Sequence, residues 1–259
     1  MKISIITVNL NNSLGLEKTL NSISLQTYNS FELIVVDGDS IDDSVSVIRN
    51  NSSLISKFLV EKDKGVYDAM NKGIELAKGD YLFFLNSGDT FYNSTVLENF
   101  IKLKPKEDLI YGNVLINYKS GVKKIKKMPS KLNVGEILIT TITHQAIFHK
   151  RELFLTKKYD LKYKIIADWV FYVNAILFSN SSYRHVDLLI SNFESGGLSS
   201  NSKLIKEEKN EYFNSIFSKH SRALFNEYIN LYNLLNNNII LKNGMRFVNA
   251  IKKLKKNVK

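Results

Sequence analysis

The chain has 259 residues, 44% of them hydrophobic, which is enough to bury a core and argues against a disordered chain. It contains no cysteine, which excludes disulfides and thiolate metal sites and leaves carboxylate, imidazole, carbonyl or water as metal ligands. The net charge of +11 is divided unevenly: residues 1–100 carry 8 Lys/Arg and 13 Asp/Glu, and residues 101–259 carry 28 and 12, so metal chemistry is expected in the first part and an anionic partner at the second.

The basic residues are 31 Lys against 5 Arg, which reads either as a functional basic surface or as the codon bias of an A/T-rich genome. No stretch reaches the ~18 apolar residues of a membrane span. Residues 1–8 lack the charged, apolar and small-residue zones of a signal peptide, so a cytoplasmic protein is expected.

Residues 3–8 form a short apolar run that predicts a strand, closed by a polar turn at 9–12. Leu16, Leu20 and Ile23 follow at helical spacing. Residues 32–36 predict a second buried strand, ending at Asp37, Gly38, Asp39 and Ser40; Ser40 is placed to cap the next helix, with Asp43 three residues on. That helix carries Val45, Val47 and Ile48, and residues 58–60 predict a third strand leading into 61–65. Residues 66–78 predict a helix, with Met70, Ile74 and Ala77 on one face and Gly79 as its stop. Residues 81–85 predict a fourth strand, ending at Asn86, Ser87, Gly88 and Asp89.

This βαβαβαβ order implies an α/β fold with a mostly parallel central sheet and flanking helices. Ligands of such sheets bind outside the carboxyl ends of the strands. The four polar or acidic loops therefore gather at one edge and mark the expected active site. Beyond residue 100 the pattern changes. Residues 109–118 and 122–128 alternate apolar and polar side chains around Lys119, Ser120 and Gly121, as in a hairpin. Helices are expected at 150–158 and 168–178, a short strand at 190–193 before Gly196 and Gly197, and an amphipathic, Lys-rich helical region over 203–259.

Five segments then combine in order and spacing: 5–9; 22–28; 31–40 with Asp42; 65–69 with Asn71, Gly73 and 77–81; and 85–89. Over roughly residues 1–200 the chain resembles the inverting family-2 glycosyltransferases of GT-A fold. The run 61–73 is similar to a subgroup that works in bacterial surface-polysaccharide assembly: O-antigen of lipopolysaccharide, capsule or exopolysaccharide. The resemblance implies a GT-A domain over 1–200, with a nucleotide-sugar half (1–100) and an acceptor half (101–200), and a basic helical extension over 201–259. It implies transfer of a hexose, with inversion, from a nucleotide-sugar donor (a UDP-hexose) to a hydroxyl of a lipid-diphosphate-linked saccharide acceptor.

The same resemblance assigns roles to residues. Thr7, Val8 and Asn9 touch the nucleotide base, or else form a plain strand-to-helix turn. Asp37 accepts hydrogen bonds from the nucleoside; the second acid common in the family is Gly38 here, and Asp42 and Asp43 read as helix-start residues favoured by the dipole. Lys64, Asp68 and Asn71 surround the third loop, where Lys64 meets the diphosphate or is simply solvated; many relatives carry Arg where this chain has Met70. Asn86, Ser87 and Gly88 approach the nucleotide-sugar. Asp89 is the metal ligand for Mn²⁺ or Mg²⁺, which neutralises the leaving diphosphate, or else a cap in a plain strand-to-helix turn. Most relatives offer two or three acids here, and this chain keeps one.

His144 touches the metal or diphosphate, or is a buried hydrogen-bonded histidine, with Gln145 beside it on the acceptor side. Asp168 is the expected catalytic base that deprotonates the acceptor hydroxyl, against the plain reading of a helix cap. Trp169 supplies an apolar wall or stacks on an acceptor sugar. Gly196, Gly197 and Ser199 resemble a late Gly-Gly-x-Ser loop whose amides bind phosphate, or a hinge. The tail 242–259 has seven Lys/Arg and no acid, and suits a peripheral helix on the anionic inner face of the cytoplasmic membrane or a solvated helix packed on the domain.

Two other classes compete. A catalytically inactive nucleotide-binding subunit of a polysaccharide-assembly complex is suggested by the thinned acidic motif. A nucleic-acid-binding protein is suggested by charge alone, but no such motif is present and no nucleic-acid partner is expected.

Overall fold

The computed structural model describes residues 1–139, 142–197 and 200–237. In chain order it contains β1 (Ile3–Asn9), α1 (Ser13–Ser24), β2 (Phe31–Asp37), α2 (Ser44–Asn50), β3 (Lys57–Val60), α3 (Val66–Leu76), β4 (Tyr81–Phe84), β5 (Thr90–Phe91) and α4 (Val96–Lys102). There follow β6 (Leu109–Asn117), β7 (Lys123–Lys126), α5 (Val134–Ile139), β8 (Ile147–Lys150), α6 (Leu153–Thr156), α7 (Ala167–Val173), β9 (Tyr183–Glu194), α8 (Ser202–Ile216) and α9 (Lys219–Asn237). Ser199 and the basic tail 242–259 lie outside the described residues.

The strands form one sheet in the order β3-β2-β1-β4-β8-β6-β9-β5, with β7 paired to β6. β3, β2, β1 and β4 are parallel, as expected of helical crossovers, so all four end at the same edge. The rest of the sheet is mixed: β8 runs antiparallel to β4 and β6, and β5 to β9, whereas β9 is parallel to β6. The mostly parallel expectation therefore describes the first half only. The expected hairpin is β6–β7, in register from Val114 opposite Lys126 to Asn117 opposite Lys123.

Burial explains the parallel half. Every residue of β1 is buried, and Leu33, Ile34, Val35 and Val36 of β2 are fully so, because helices cover both faces. Each such side chain contributes about 2 kcal/mol of apolar transfer. Close packing also assigns Gly79, which does not stop α3. Ala77, extended, ends that helix, and a Cβ on Gly79 would stand 2.6 Å from Ser4 N.

Several local expectations change. Ser40 caps no helix: its Oγ donates to Asp37 Oδ2 at 2.8 Å and accepts from Asn11 N at 2.8 Å. Asp42 takes the capping role, accepting from Ser44 N at 3.0 Å and Ser13 N at 2.9 Å at the starts of α2 and α1. In place of a helix over 150–158 there is the end of β8 and the single turn α6, because Ile147, Phe148 and His149 are buried between β4 and β6. The short strand expected at 190–193 is the end of the 12-residue β9, whose first half carries Arg184, His185 and Asp187 and so lacks an apolar signature. The helix expected at 168–178 is α7 followed by a π-helical turn over 174–178.

The C-terminal helices hold the second half of the sheet edge in place. Glu208 of α8 is buried and accepts from the backbone N–H of Lys164, Ile165 and Ile166 at 2.7, 3.1 and 3.2 Å, fixing the segment that enters α7. Tyr212 and Phe213 of α8 meet Trp169 edge-on at centroid distances of 5.2 and 5.5 Å.

Behind β8 lies an aromatic cluster of Phe84, Phe154, Tyr159 and Phe171 around His149. Burial, helped by the charge of His144 and opposed by Asp168, pushes the His149 imidazole down to about 3. The folded value lies below the unfolded value of ~6.5, so His149 stabilises the fold fully above pH ~6.5 and loses that contribution as pH falls towards 3, by up to ~1.4 kcal/mol per pH unit. Thermal unfolding of the wild type is thus expected to shift to lower temperature across that window. His149→Phe is expected to flatten the dependence, and an unaltered pH profile in the variant would rule this origin out.

Candidate active site

The parallel strands deliver their C-terminal ends to one edge, and the loops there are tied by side chains. Asn9, at the end of β1, donates through Nδ2 to Asp37 Oδ2 at 2.6 Å and Ser44 Oγ at 2.8 Å. Asp37 Oδ1 accepts from Ser40 N at 2.7 Å. Asp37 is fully buried, so its carboxylate braces the β1 and β2 loops and does not face open space. Thr7 and Val8 are likewise buried inside β1. The exposed surface at this point belongs to Leu10, Asn11 and Asn12, with these four side chains beneath it.

The loop after β4 is held from α1. Gly88, at φ +100°, donates to Thr19 Oγ1 at 3.0 Å, Thr19 donates to Asp89 O at 2.7 Å, and Ser87 Oγ donates to Asn12 O at 3.2 Å. A φ of that sign favours glycine. Asp89 is 5% exposed; Oδ2 accepts from Gln145 Nε2 at 2.9 Å and Oδ1 from Glu194 N at 3.1 Å. Burial raises its carboxyl to about 6, against the two amide hydrogen bonds and the charge of His144.

Each carboxylate oxygen of Asp89 keeps a further acceptor site. Asn86 Oδ1 and Gln145 Oε1 are buried oxygens without a partner among the described residues. These oxygens suit a hard divalent cation. Among the described residues no three His, Asp or Glu side chains cluster as a metal site, so such a cation needs phosphate oxygens to complete its shell.

Opposite Asp89, a 3-10 turn over 144–146 presents His144 and Gln145, and α7 presents Asp168. His144 is drawn to Asp168 and not to Asp89: Nδ1 lies 3.0 Å from Asp168 Oδ2, and Nε2 lies 3.3 Å from Asn86 Nδ2. The tautomer with its proton on Nδ1 satisfies both contacts. His144 is thus held by hydrogen bonds at both ring nitrogens, as in the reading of a hydrogen-bonded histidine. Asp168, 8% exposed, also accepts at Oδ1 from Trp169 N and from Tyr67 Oη, each at 2.8 Å. Burial opposes its charge, but the His144, Tyr67 and Trp169 N–H contacts outweigh it and hold the carboxyl below its ordinary value. The Tyr67 phenol is driven well up by burial and by the Asp168 charge.

Two cavities open beside Asp168. One of about 210 Å³ is lined by His144, Gln145, Asp168, Lys126, Ile116 and Phe193. Lys126 Nζ donates to Thr143 Oγ1 at 3.3 Å, and burial lowers its ammonium below the usual range. The other, about 740 Å³, reaches Asp168 through Tyr67 and is lined by Lys64, Asp68, Leu161, Lys164, Gly196 and Gly197, among others.

Asn86, Asp89, His144, Gln145 and Asp168 thus come together, while Lys64, Asp68, Gly196 and Gly197 surround the larger cavity. Asp68 is turned to its own loop, accepting from Lys64 N at 2.9 Å. Asn71 is removed from the nucleotide set because both ends of its amide grip the backbone of Tyr159, at 2.9 and 3.0 Å. Trp169 forms a buried wall of the smaller cavity: it donates from Nε1 to Ile137 O at 3.0 Å and carries Lys209 Nζ 4.4 Å from its ring centroid. Tyr67 and Glu208 had no sequence signal beyond, for Tyr67, a place in the run 61–73; their partners stand 101 residues and 42 to 44 residues away in the chain.

Residues 4–176 match the family model described as glycosyl transferase family 2. A PGL/p-HBAD biosynthesis glycosyltransferase of Mycobacterium tuberculosis is 36% identical over 210 residues, covering 76% of this chain and 78% of the relative. The GalNAc(5)-diNAcBac-PP-undecaprenol beta-1,3-glucosyltransferase of Campylobacter jejuni is 30% identical over 127 residues, covering 48% of this chain and 41% of that one. Among solved structures, S. aureus TarS 1-349 in complex with UDP-GlcNAc superposes with a TM-score of 0.65 at 18% identity, over 85% of this chain and 69% of that one, which establishes the common GT-A fold. With the family model spanning most of the chain and the strand ends converging as described, the protein belongs to glycosyltransferase family 2.

Proposed function

We propose that the protein transfers a hexose from a UDP-sugar to a hydroxyl of a lipid-diphosphate-linked saccharide, with inversion, in surface-polysaccharide assembly. The observation that carries this reading is the buried Asp168–His144 pair facing a cavity at the same sheet edge as Asp89. The donor nucleotide lies across the ends of β1, β2 and β4, over the loops braced by Asn9 and Asp37 and beside Lys64. Asn86, Ser87 and Gly88 border its diphosphate, and Gly196 and Gly197 approach from the far side.

In a single displacement the acceptor hydroxyl attacks the anomeric carbon, the bond to the diphosphate breaks, and the hydroxyl proton passes to the base. Asp168 is that base, and its depressed pKa keeps it ionised at neutral pH. His144, with Nε2 towards Asn86, donates Nδ1–H to Asp168 and holds the carboxylate in position. A divalent cation, Mn²⁺ or Mg²⁺, held by Asp89 with Asn86 Oδ1 and Gln145 Oε1, would neutralise charge on the leaving diphosphate.

The larger cavity supports an amphiphilic acceptor. Val66, Leu161, Ile165 and Leu204 make it apolar, and Lys164 adds a cation suited to a diphosphate. Among the described residues no helix is long and apolar enough to cross a membrane. Leu224, Tyr228, Leu231 and Leu234 are exposed along α9, ahead of the basic tail, and support peripheral placement on an anionic membrane surface.

The second reading, an inactive nucleotide-binding subunit, draws on the single acid at 89. Assays with UDP-, GDP- and dTDP-sugars and a synthetic lipid-diphosphate acceptor separate the two. Asp168→Asn and His144→Gln are each expected to lower kcat by about 10²–10⁴-fold while leaving nucleotide affinity within about twofold. Nucleotide binding with no turnover on any donor would instead select the inactive subunit. Tyr67→Phe removes one donor from Asp168, so its pKa rises and the acidic limb of the kcat–pH profile is expected to move to higher pH; an unmoved limb would exclude Asp168 as the titrating base. Calorimetry of UDP-sugar binding is expected to show at least ~10-fold tighter affinity with Mn²⁺ than with chelator, a difference that Asp89→Ala abolishes.

A further inference from the structure

The two faces of the β6–β9 sheet carry different chemistry. Ile116 and Phe193 point into the cavity that holds Asp168 and His144. Their neighbours Leu115, Asn117, Asn192 and Glu194 alternate to the other face, where Leu115 stands opposite Asn192 and Asn117 opposite Glu194. There they line a separate polar pocket of about 390 Å³ together with Lys18, Tyr118 and Lys123.

Two side chains in this pocket are incompletely satisfied. Asn192 Nδ2 donates to Thr90 Oγ1 at 2.9 Å and to Phe91 O at 3.3 Å. Asn117 Nδ2 donates to Glu194 Oε1 at 3.2 Å. A backbone carbonyl and a carboxylate only accept, so the orientation of both amides is set. Each amide oxygen is thereby left buried with no partner among the described residues. A buried carbonyl without a donor is costly, and a ligand hydroxyl removes that cost.

The pocket's charges narrow the ligand class. Glu194 is already paired with Lys18 at 2.6 Å. The carboxylate and the two amide oxygens disfavour an anion, whereas Lys18 and Lys123 disfavour a metal cation. What remains is a neutral molecule rich in hydroxyl donors. Tyr118, 40% exposed, adds an aromatic ring against which the C–H face of a pyranose packs. We propose that this pocket is a second saccharide-binding site, on the opposite face of the sheet from Asp168, taking one pyranose ring of a glycan through Asn117, Asn192 and Tyr118.

The proposal stands on this face alone and does not depend on the transfer reaction. The full chain would be titrated with methyl hexopyranosides and N-acetylhexosaminides while backbone amide NMR shifts are followed. Saturable shifts are expected at residues 115–123 and 190–194, with a dissociation constant on the order of 1 mM. Asn117→Leu and Tyr118→Ala are each expected to weaken binding by at least ~10-fold. Tyr118 lies on an exposed hairpin, so its variant tests the site even where Asn117→Leu disturbs folding. No shift around Asn117 and Asn192, or shifts that persist undiminished in Tyr118→Ala, would overturn the assignment.

Discussion

Asp168 is a carboxylate with almost no contact with solvent, and it sets requirements on three distant parts of the chain. A buried charge needs partners, and removing one of them from such a pair costs about 3–5 kcal/mol. The partners are His144 from the turn before β8, Tyr67 from the first turn of α3, and the Trp169 N–H of α7 itself. Tyr67 also lies 2.6 Å from Ile165 O, and Glu208 of α8 grips the N–H groups of the same segment. The parallel half of the sheet, the mixed half and the C-terminal helices are therefore joined at the residue that handles the proton in the proposed reaction.

Asp89 shows the complementary solution in the loop after β4. It is buried as deeply, but its contacts are neutral amides from Gln145 and Glu194, and its carboxyl is pushed up where that of Asp168 is held down. Two carboxylates at one sheet edge thus have opposite electrostatic settings. Gln145 and His144 are adjacent in sequence, yet one is bonded to Asp89 and the other to Asp168. That short turn thereby links the two carboxylates.

The mixed half of the sheet adds a second surface. In β6 and β9, residues one apart face opposite ways, so Phe193 belongs to the Asp168 cavity while Asn192 and Glu194 belong to the polar pocket behind it. Glu194 connects them: its side chain pairs with Lys18, and its backbone N–H holds Asp89.

Much of this was legible in the residues taken alone. The parallel order of β1 to β4 follows from apolar runs separated by helical spacing, and the convergence of their loops follows from that order. Asp89 and Asp168 were singled out by the resemblance, since an acid in such a loop or at a helix start can equally be a plain cap. The partners of those acids were not legible. Asn71, Trp169 and His144 carry residue types that fit a ligand equally well, and only packing shows that Asn71 grips Tyr159, that Trp169 is sealed under α8, and that His144 turns to Asp168. β8 and the first half of β9 escaped for a related reason: a strand wedged between others is specified by its neighbours, which lie far away in the chain. Local periodicity therefore determined the strands β1 to β4, the helices between them and the edge where their loops meet. The tertiary structure decided which polar groups meet there, because a hydrogen bond across some hundred residues of chain leaves no pattern in the sequence on either side of it.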